Sequence, residues 1–271
     1  MTDLVPGDPA IAFDRVGEGP PVVFLHGVGG NRRNWSAQLG ALAPRYTTIA
    51  LDQRGYGDSD DFQNPLDFAD VASDLARVLD HLHIQRAHLV GLSMGGRVLL
   101  EAWRAHADRF ATLTLCSVFP SFAKTLSAQA REEYVARRRD PLVAGVTPAE
   151  IAPSLAERLT APGTSAEIRA ELEESIAALR VTPYLATVEA ATRFDASDVP
   201  ATVDVPTLLI YGDQDPLTPP GVGEDVHAQI VDSRLEVMAG IGHLVNLEAR
   251  HAFNALLHTF LGEHADRATF W

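Results

Sequence analysis

A serine between glycines is the residue with the clearest chemical potential in the sequence. The motif Gly91-Leu92-Ser93-Met94-Gly95-Gly96 follows a short apolar stretch and precedes a helical pattern that begins near Arg97. In a G-x-S-x-G pattern the serine lies on a tight turn between a strand and a helix, and small residues two positions before and after it relieve crowding around its strained backbone. The motif predicts a nucleophilic Ser93, although a glycine-rich turn that merely begins a helix would have a similar sequence.

A serine nucleophile needs a general base and an acid that orients this base, because a hydroxyl is weakly nucleophilic at neutral pH. His243 lies in a glycine-rich stretch between a predicted strand and the last predicted helix. A loop there can carry the imidazole to the carboxyl edge of a sheet. The acid is expected at a strand end between Ser93 and His243, and Asp215 is preferred because it lies farther into its loop than the alternative, Asp213.

Acyl transfer also requires hydrogen-bond donors for the negative charge that develops on the substrate oxygen. The amide of Met94 is one candidate, because it follows the nucleophile and lies at the N-terminus of a helix. The second donor is expected from the loop 26–30, where we select the amide of Val28. For His26 we prefer a structural role, in which its side chain pins this loop by hydrogen bonds.

No metal or organic cofactor is expected, because acyl transfer through serine requires none. Cys116 is the only cysteine, so neither an internal disulfide nor a thiolate metal cluster can form. Its apolar surroundings predict a small core residue. His81, His83 and His88 are a remote alternative for a metal site, but they flank a junction between a helix and a strand and need not converge.

Short apolar runs alternate with helical patterns through the first 120 residues, as expected for βαβ units around a parallel sheet. The predicted strands lie at 22–25, 47–51, 87–90, 112–115, 207–211 and 235–238, and a closing helix is predicted near 247–261. One stripe of an amphipathic helix is formed by Val71, Leu75, Val78, Leu79 and Leu82. We therefore expect an α/β fold with a mostly parallel central sheet flanked by helices.

The strand pattern disappears between residues 120 and 200. This segment has the pattern of several polar helices and contains 12 acidic and 9 basic residues. The prolines expected to break these helices are Pro141, Pro148, Pro153, Pro162 and Pro183. We predict a helical lid, or cap, at 120–200, inserted into a core formed by 1–119 and 201–271.

The composition excludes several classes of protein. The 271 residues are 46% hydrophobic and carry a formal charge of −14, so the chain is expected to be globular and to repel nucleic acids and anionic membranes. The densest basic run, 137–139, is flanked by acidic residues and is interpreted as a solvated helix face. The N-terminus has no basic start followed by an apolar block, which favours a cytoplasmic protein. The sequence leaves open whether the protein forms a homodimer.

Taken together, these motifs resemble the α/β-hydrolase superfamily over nearly the whole sequence. The matching stretches are His26-Gly27, 52–59, the Ser93 turn, Gly212-x-x-Asp215, and Gly242-His243 with Glu248. The resemblance implies a triad in the chain order Ser93, Asp215, His243. It also implies that 52–59 is a structural loop, with no catalytic role for Asp52 or Arg54. Ser93 disfavours haloalkane dehalogenases and epoxide hydrolases, which place an aspartate at this position.

Among the serine members, the motifs around Ser93 and His243 are most similar to 3-oxoadipate enol-lactonases and related small-ester hydrolases. The resemblance implies a hydrolase that cleaves a carboxylic ester or lactone through an acyl-serine intermediate. Hydrolases of carbon–carbon bonds stay an alternative, although many of them carry a tryptophan where this chain has Leu244. A protein that keeps the pocket but has no catalytic turnover is a third interpretation.

Substrate recognition is expected from the lid and the pocket beneath it. An anionic substrate would need a cationic anchor, for which Arg97 or Arg193 could serve, although we prefer a surface position for both. The aromatic residues that could line the pocket, or pack the lid on the core, are Phe119, Phe122, Tyr134, Tyr184 and Phe194.

Overall fold

A mixed nine-stranded sheet forms the centre of the protein in a computed structural model that describes residues 3–63 and 65–271. The strands are β1 (Asp3–Val5), β2 (Ile11–Val16), β3 (Pro21–Leu25), β4 (Thr47–Leu51), β5 (Ile84–Leu92), β6 (Phe110–Cys116), β7 (Thr207–Gly212), β8 (Ser233–Met238) and β9 (Thr269–Phe270). The main order is β1-β2-β4-β3-β5-β6-β7-β8, and β9 pairs with β5. Strands β3 to β8 are parallel, which confirms the predicted fold class.

Each of the six predicted strands is present, and four of the central ones are buried along their whole length. Full burial on both faces explains why they are continuous apolar runs, since helices cover both sides of a parallel sheet. Strands β1, β2 and β9 were not predicted. They are short or polar at one end, and they join the sheet by antiparallel pairing.

Helices cover the sheet and fill the connection between β6 and β7. They are α1 (Ser36–Leu42), α2 (Phe68–His81), α3 (Met94–His106), α4 (Phe122–Thr125), α5 (Ala128–Val143), α6 (Pro148–Leu159), α7 (Ala166–Ala177), α8 (Val181–Arg193), α9 (Pro220–His227), α10 (Val245–Glu248) and α11 (Arg250–Gly262). The predicted apolar stripe of α2 is buried from Val71 to Leu79, and its Asp67 N-cap accepts a hydrogen bond from the amide of Ala69. The predicted closing helix is interrupted at Ala249, where α10 ends and α11 begins.

Five of these helices, α4 to α8, lie within residues 120–200, which we call the inserted segment. Pro148 begins α6, Pro162 separates α6 from α7, and Pro183 lies in the first turn of α8. The expectation that Pro141 and Pro153 break helices is wrong, because they lie inside α5 and α6. Each is within two turns of a helix end, so the lost backbone hydrogen bond leaves the rest of the helix intact.

The inserted segment packs against the core through apolar and polar contacts. Ala156 and Leu172 belong to the same apolar cluster as Phe24 and Val90 of the sheet. The guanidinium of Arg180 donates hydrogen bonds of 2.7 Å to the carbonyl oxygens of Gly57 and Ser59, and it pairs with Asp61. These contacts cover the carboxyl edge of the sheet with helices. No helix of the described residues has the length and apolar character needed to cross a membrane.

Candidate active site

Ser93 lies on a strained turn between β5 and α3. Its backbone has φ 51° and ψ −111°, in a region that residues with a side chain rarely adopt. Ser93 occupies the N-cap position of α3, but its hydroxyl makes no capping hydrogen bond. Its amide donates to the carbonyl oxygen of Cys116 on β6, at 2.8 Å. The backbone is therefore fixed while the hydroxyl stays available for chemistry.

The glycines of the motif allow the close contacts that this turn requires. A Cβ atom on Gly91 would lie 2.5 Å from the amide nitrogen of Gly96, and one on Gly95 would lie 2.3 Å from the carbonyl oxygen of Leu25. Distances below 3.0 Å are essentially never found for a real Cβ atom. Any larger residue at these positions would push the strand, the turn and α3 apart.

Asp215 and His243 form a buried pair at the ends of β7 and β8. The distance between His243 Nδ1 and Asp215 Oδ2 is 2.7 Å, and both side chains are almost fully buried. Asp215 Oδ1 accepts hydrogen bonds from the amides of Leu217 and Thr218, and the Thr218 hydroxyl donates to Oδ2. Burial alone would raise the pKa of the Asp215 carboxyl, but the charge of His243 and these hydrogen bonds lower it to about 2.

Asp213, the alternative acid, has another environment. Its side chain is exposed, and Oδ1 accepts a 2.7 Å hydrogen bond from the amide of Gly240. The amide of Gln214 donates to the carbonyl oxygen of Ile241 at 2.9 Å. These two hydrogen bonds join the loop after β7 to the loop after β8. Asp215, not Asp213, is the carboxylate beside the imidazole.

Glu248 fixes the histidine loop, a role that the sequence did not indicate. It accepts hydrogen bonds from groups on both sides of this loop: the amides of Gly242, Leu244 and Ala161, and the hydroxyl of Thr164. The amide of His243 itself donates to the carbonyl oxygen of Leu159 at 3.0 Å. Two of the four donors and this carbonyl belong to the inserted segment, so the segment and the imidazole are positioned together.

The two predicted oxyanion donors come from two different segments of the chain. Met94 begins α3, and Val28 lies in the loop after β3. This loop approaches the nucleophile, since a Cβ atom on Gly27 would be 3.3 Å from the Cβ of Ser93. Among the described residues, no acceptor is found for the amide of Val28 or of Met94. Neither N–H group is therefore engaged by the described part of the chain, which an oxyanion donor requires.

Ser93 and His243 meet in one pocket of about 660 Å³, measured with its opening to solvent. In the described part of the chain, Ser93 Oγ makes no hydrogen bond to His243. The core contributes Gly27, Val28, Gly30, Asn34, Leu92, Ser93, Arg97, Leu217, His243, Leu244 and Leu247, and the inserted segment contributes Tyr134, Arg138, Leu155, Leu159, Leu172 and Tyr184. The pocket is mostly apolar, with a few polar groups near the serine.

Comparison with protein families decides the identity of the fold. The family model of the α/β hydrolase fold matches residues 20–249, which include Ser93, Asp215 and His243. The chain belongs to the α/β-hydrolase family. The resemblance predicted from the sequence motifs is confirmed.

The relatives of this α/β hydrolase include esterases and lactonases. The 3-oxoadipate enol-lactonase 2 of Acinetobacter baylyi is 30% identical over 258 residues, 93% of this chain and 92% of the relative. A pimeloyl-[acyl-carrier protein] methyl ester esterase of Neisseria meningitidis is 29% identical over 245 residues, 89% of this chain and 93% of the relative. Among solved structures, a thermophilic esterase from Thermogutta terrifontis superposes with a TM-score of 0.87 at 27% identity, covering 97% of this chain and 99% of the other. These similarities support ester or lactone hydrolysis.

The aromatic residues of this α/β hydrolase divide between the two expected positions, in the pocket or in the packing around it. Tyr134 and Tyr184 line the pocket. Phe119 and Phe122 instead lie against the guanidinium of Arg97, and Phe194 packs on Phe68 of α2.

The expected surface positions of the arginines are only partly correct. Arg193 is exposed and faces an outer groove, but Arg97 is 3% exposed and lines the pocket. In the basic run, Arg139 pairs with Glu132 and Asp140, whereas Arg138 turns to the pocket. Arg97 and Arg138 lie within ordinary helical sequence patterns. The sequence around them therefore does not distinguish them from arginines on the protein surface.

The remaining polar residues near the site are structural. His26 Nε2 accepts a hydrogen bond from the amide of Gln53, and Gln53 Nε2 donates to the carbonyl oxygen of His26, so the histidine pins its loop as predicted.

Three further residues singled out in the sequence, Asp52, Cys116 and His88, are buried. Asp52 Oδ1 accepts a hydrogen bond from the amide of Arg32. Cys116 is buried, which raises the pKa of its thiol. In residues 3–63 and 65–271, no cluster of three potential metal ligands is found. His88 bonds Thr112 at 2.9 Å.

Proposed function

We propose that this protein hydrolyses a carboxylic ester or lactone through an acyl-Ser93 intermediate, with His243 as general base and Asp215 as the acid that orients it. The buried Asp215–His243 pair that faces the pocket of the strained Ser93 turn carries this proposal. The inserted segment is proposed to act as a lid over the pocket, and the core of 1–119 and 201–271 supplies the reacting groups.

In the acylation step, Ser93 Oγ attacks the substrate carbonyl carbon while His243 Nε2 takes its proton. The negative charge on the carbonyl oxygen is stabilised by the amides of Val28 and Met94, with help from the N-terminus of α3. His243 then returns the proton to the leaving oxygen, and the ester bond breaks. Asp215, with its low pKa, stays ionised at neutral pH and stabilises the imidazolium.

Deacylation repeats these steps with water as the nucleophile. His243 removes a proton from water, the hydroxyl oxygen attacks the acyl carbon, and Ser93 leaves with the proton that the imidazole returns. The product is a carboxylic acid, and the enzyme is regenerated. The mostly apolar pocket and the ester- and lactone-hydrolysing relatives support a small ester or lactone as substrate.

The proposal is tested by steady-state kinetics of Ser93→Ala on p-nitrophenyl esters, enol lactones and acyl-homoserine lactones. For any substrate that the wild type cleaves, kcat is expected to fall by about ten-thousandfold or more, because no other group replaces the nucleophile. Ser154→Ala, which changes an exposed serine of the inserted segment, is the matched control and should leave the rate unchanged. A variant at Ser93 with the wild-type rate would contradict the mechanism.

A further inference from the structure

Arg97 is a buried cation that has no anionic partner among the residues that the structure describes. Its side chain is 3% exposed, and its Nε has no hydrogen-bond partner among the same residues. In the described part of the chain it forms no ion pair and its side chain makes no hydrogen bond. Its guanidinium carbon lies 4.2 Å from the ring centre of Phe119 and 4.4 Å from that of Phe122. The rings attract the charge, but they do not replace the oxygen acceptors that a guanidinium loses on burial.

This arrangement is costly for the protein alone. Buried arginines are normally paired with carboxylates or carbonyl oxygens, because an unpaired charge in the interior loses its hydration. Burial lowers the pKa of Arg97 to about 10, so the side chain still carries its proton at neutral pH. A buried group that stays charged and unpaired is explained if a ligand supplies the partner.

The position of Arg97 relates this charge to the reacting serine. Its amide donates to the carbonyl oxygen of Ser93 at 3.2 Å, so Arg97 lies one turn after the nucleophile, on the same face of α3. Both side chains line the same pocket. Arg138 of α5 lines it as well, with its guanidinium 3.5 Å from the ring centre of Tyr134.

The charges around the pocket are one-sided. None of the described side chains that line it is acidic, whereas two are guanidinium groups. Leucine is the most frequent residue among the other lining residues, and Leu155, Leu159 and Leu172 come from the inserted segment. An apolar pocket with two cations at one side fits a ligand with an aliphatic body and a single planar anion.

We propose that the substrate carries a carboxylate in addition to its ester or lactone bond, and that Arg97 binds this carboxylate with Arg138 as the second cation. This inference rests on the proposed function of the Ser93 site. A carboxylate matches the planar fork of a guanidinium, which can donate two parallel hydrogen bonds to it. Arg97 is thereby a residue that determines specificity.

Kinetics with matched substrates test the proposal. One pair places the anion in the acyl part, as the p-nitrophenyl hemi-ester of glutarate against the same ester with a terminal amide. The other pair places it in the alcohol part, as 4-carboxyphenyl butyrate against 4-carbamoylphenyl butyrate. The wild type is expected to prefer the anionic member of at least one pair by about tenfold in kcat/KM, the size of one charge-assisted hydrogen bond. Equal rates within both pairs would overturn the proposal without any variant.

Variants then assign the preference to a residue. Arg97→Met keeps an unbranched side chain without the guanidinium and is expected to reduce the preference to less than about threefold, mainly through the anionic substrate. Arg193→Met, on the exposed outer groove, is the matched control and should keep the full preference. A preference that survives Arg97→Met would overturn the assignment to Arg97.

Binding to a catalytically inactive protein separates this proposal from the proposed function. We expect glutarate to bind Ser93→Ala by calorimetry, glutaramide to bind about tenfold more weakly, and the difference to disappear in Ser93→Ala/Arg97→Met. Binding with this pattern but no ester cleavage by the wild type would refute the hydrolase and leave the carboxylate site in place. Ester cleavage with equal binding of both compounds would refute the carboxylate site alone.

Discussion

The His243 side of the pocket and the Arg97 side are both buried, but only the first is internally hydrogen-bonded. On the His243 side, the Asp215 carboxylate accepts hydrogen bonds from two amides, a hydroxyl and an imidazole. Glu248 accepts four more around the same loop. On the other side, Arg97 packs between aromatic rings and has no such partners among the described residues.

The difference separates groups that must keep a fixed geometry from a group that is available to a ligand. A catalytic imidazole needs its tautomer and orientation set before substrate arrives, so its surroundings are satisfied within the protein. A binding charge keeps its donors free, at a cost to the stability of the unliganded protein. Substitutions on the two sides should therefore have opposite effects on stability and different effects on rate.

The largest expected effect is on the His243 side. Asp215→Asn keeps the size of the side chain but cannot stabilise the imidazolium and favours the wrong tautomer. We expect kcat to fall by about a thousandfold to ten-thousandfold. The matched variant Asp213→Asn, next to the same strand but exposed, should change the rate by less than about threefold, since exposed substitutions have small effects. Comparable losses in both variants would contradict the assignment of the acid.

Glu248→Gln should affect both rate and stability. Glutamine offers one oxygen and an NH₂ group where four donors now meet a carboxylate, so at least one buried donor loses its acceptor. We expect a loss of about 1–3 kcal/mol in the free energy of unfolding. Because the amides of Gly242 and Leu244 flank His243, kcat should fall by about tenfold with a smaller change in KM. Urea unfolding and steady-state kinetics measure both effects.

The control for Glu248 is Glu263→Gln, which removes an exposed ion pair with Arg234. It should change neither the stability nor the rate measurably, because exposed ion pairs contribute little. If Glu248→Gln unfolds like the wild type and keeps its kcat, the link between the inserted segment and the histidine loop is not energetically significant.

The pH dependence of stability is a third test of the His243 side. The pKa of Asp215 is lowered from 3.8 to about 2 on folding, so its contribution is present above about pH 4 and is lost as the pH falls through about 2. The difference in unfolding free energy between the wild type and Asp215→Asn should shrink by roughly 2 kcal/mol over this range. Urea unfolding at several pH values measures it, and a constant difference would contradict the lowered pKa.

The smallest effect is expected on the other side, with the opposite sign. Arg97→Met removes a buried charge that has no partner among the described residues and leaves a shorter, unbranched apolar chain. The unliganded variant should be more stable than the wild type by about 1 kcal/mol, since apolar replacement of a buried charge is often stabilising. Thermal unfolding without ligand measures this. A large destabilisation would show that Arg97 is satisfied within the fold, and the contrast between the two sides would disappear.

The fold and the residues of the proposed triad could be predicted from the sequence because their signals are local. The central strands are continuous apolar runs, Ser93 and Asp215 follow two of them, and His243 follows the edge strand β8. Parallel strands bring their carboxyl ends to one edge, so three separate motifs converge without any long-range information. The preference for Asp215 over Asp213 rests on its position farther into the same loop, and the structure brings Asp215 to the imidazole.

Other features depend on contacts between residues that are far apart in the sequence, so no local sequence pattern indicates them. The burial of Arg97 depends on Phe119 and Phe122, and Arg138 differs from its neighbours only in the direction that it faces. Thr218 and Glu248 acquire their roles through loops that meet only in the folded chain. Strands β1 and β2 are not apparent in the sequence because antiparallel strands need no continuous apolar run.

The nucleophile is the central claim, and a covalent trap tests it most directly. Wild-type protein is treated with a fluorophosphonate, digested, and the modified peptide is identified by mass spectrometry. A single adduct on Ser93 is expected, with no adduct in Ser93→Ala and strongly reduced labelling in Asp215→Asn. An adduct on another residue, or no adduct in wild-type protein that hydrolyses esters, would contradict the acyl-serine mechanism.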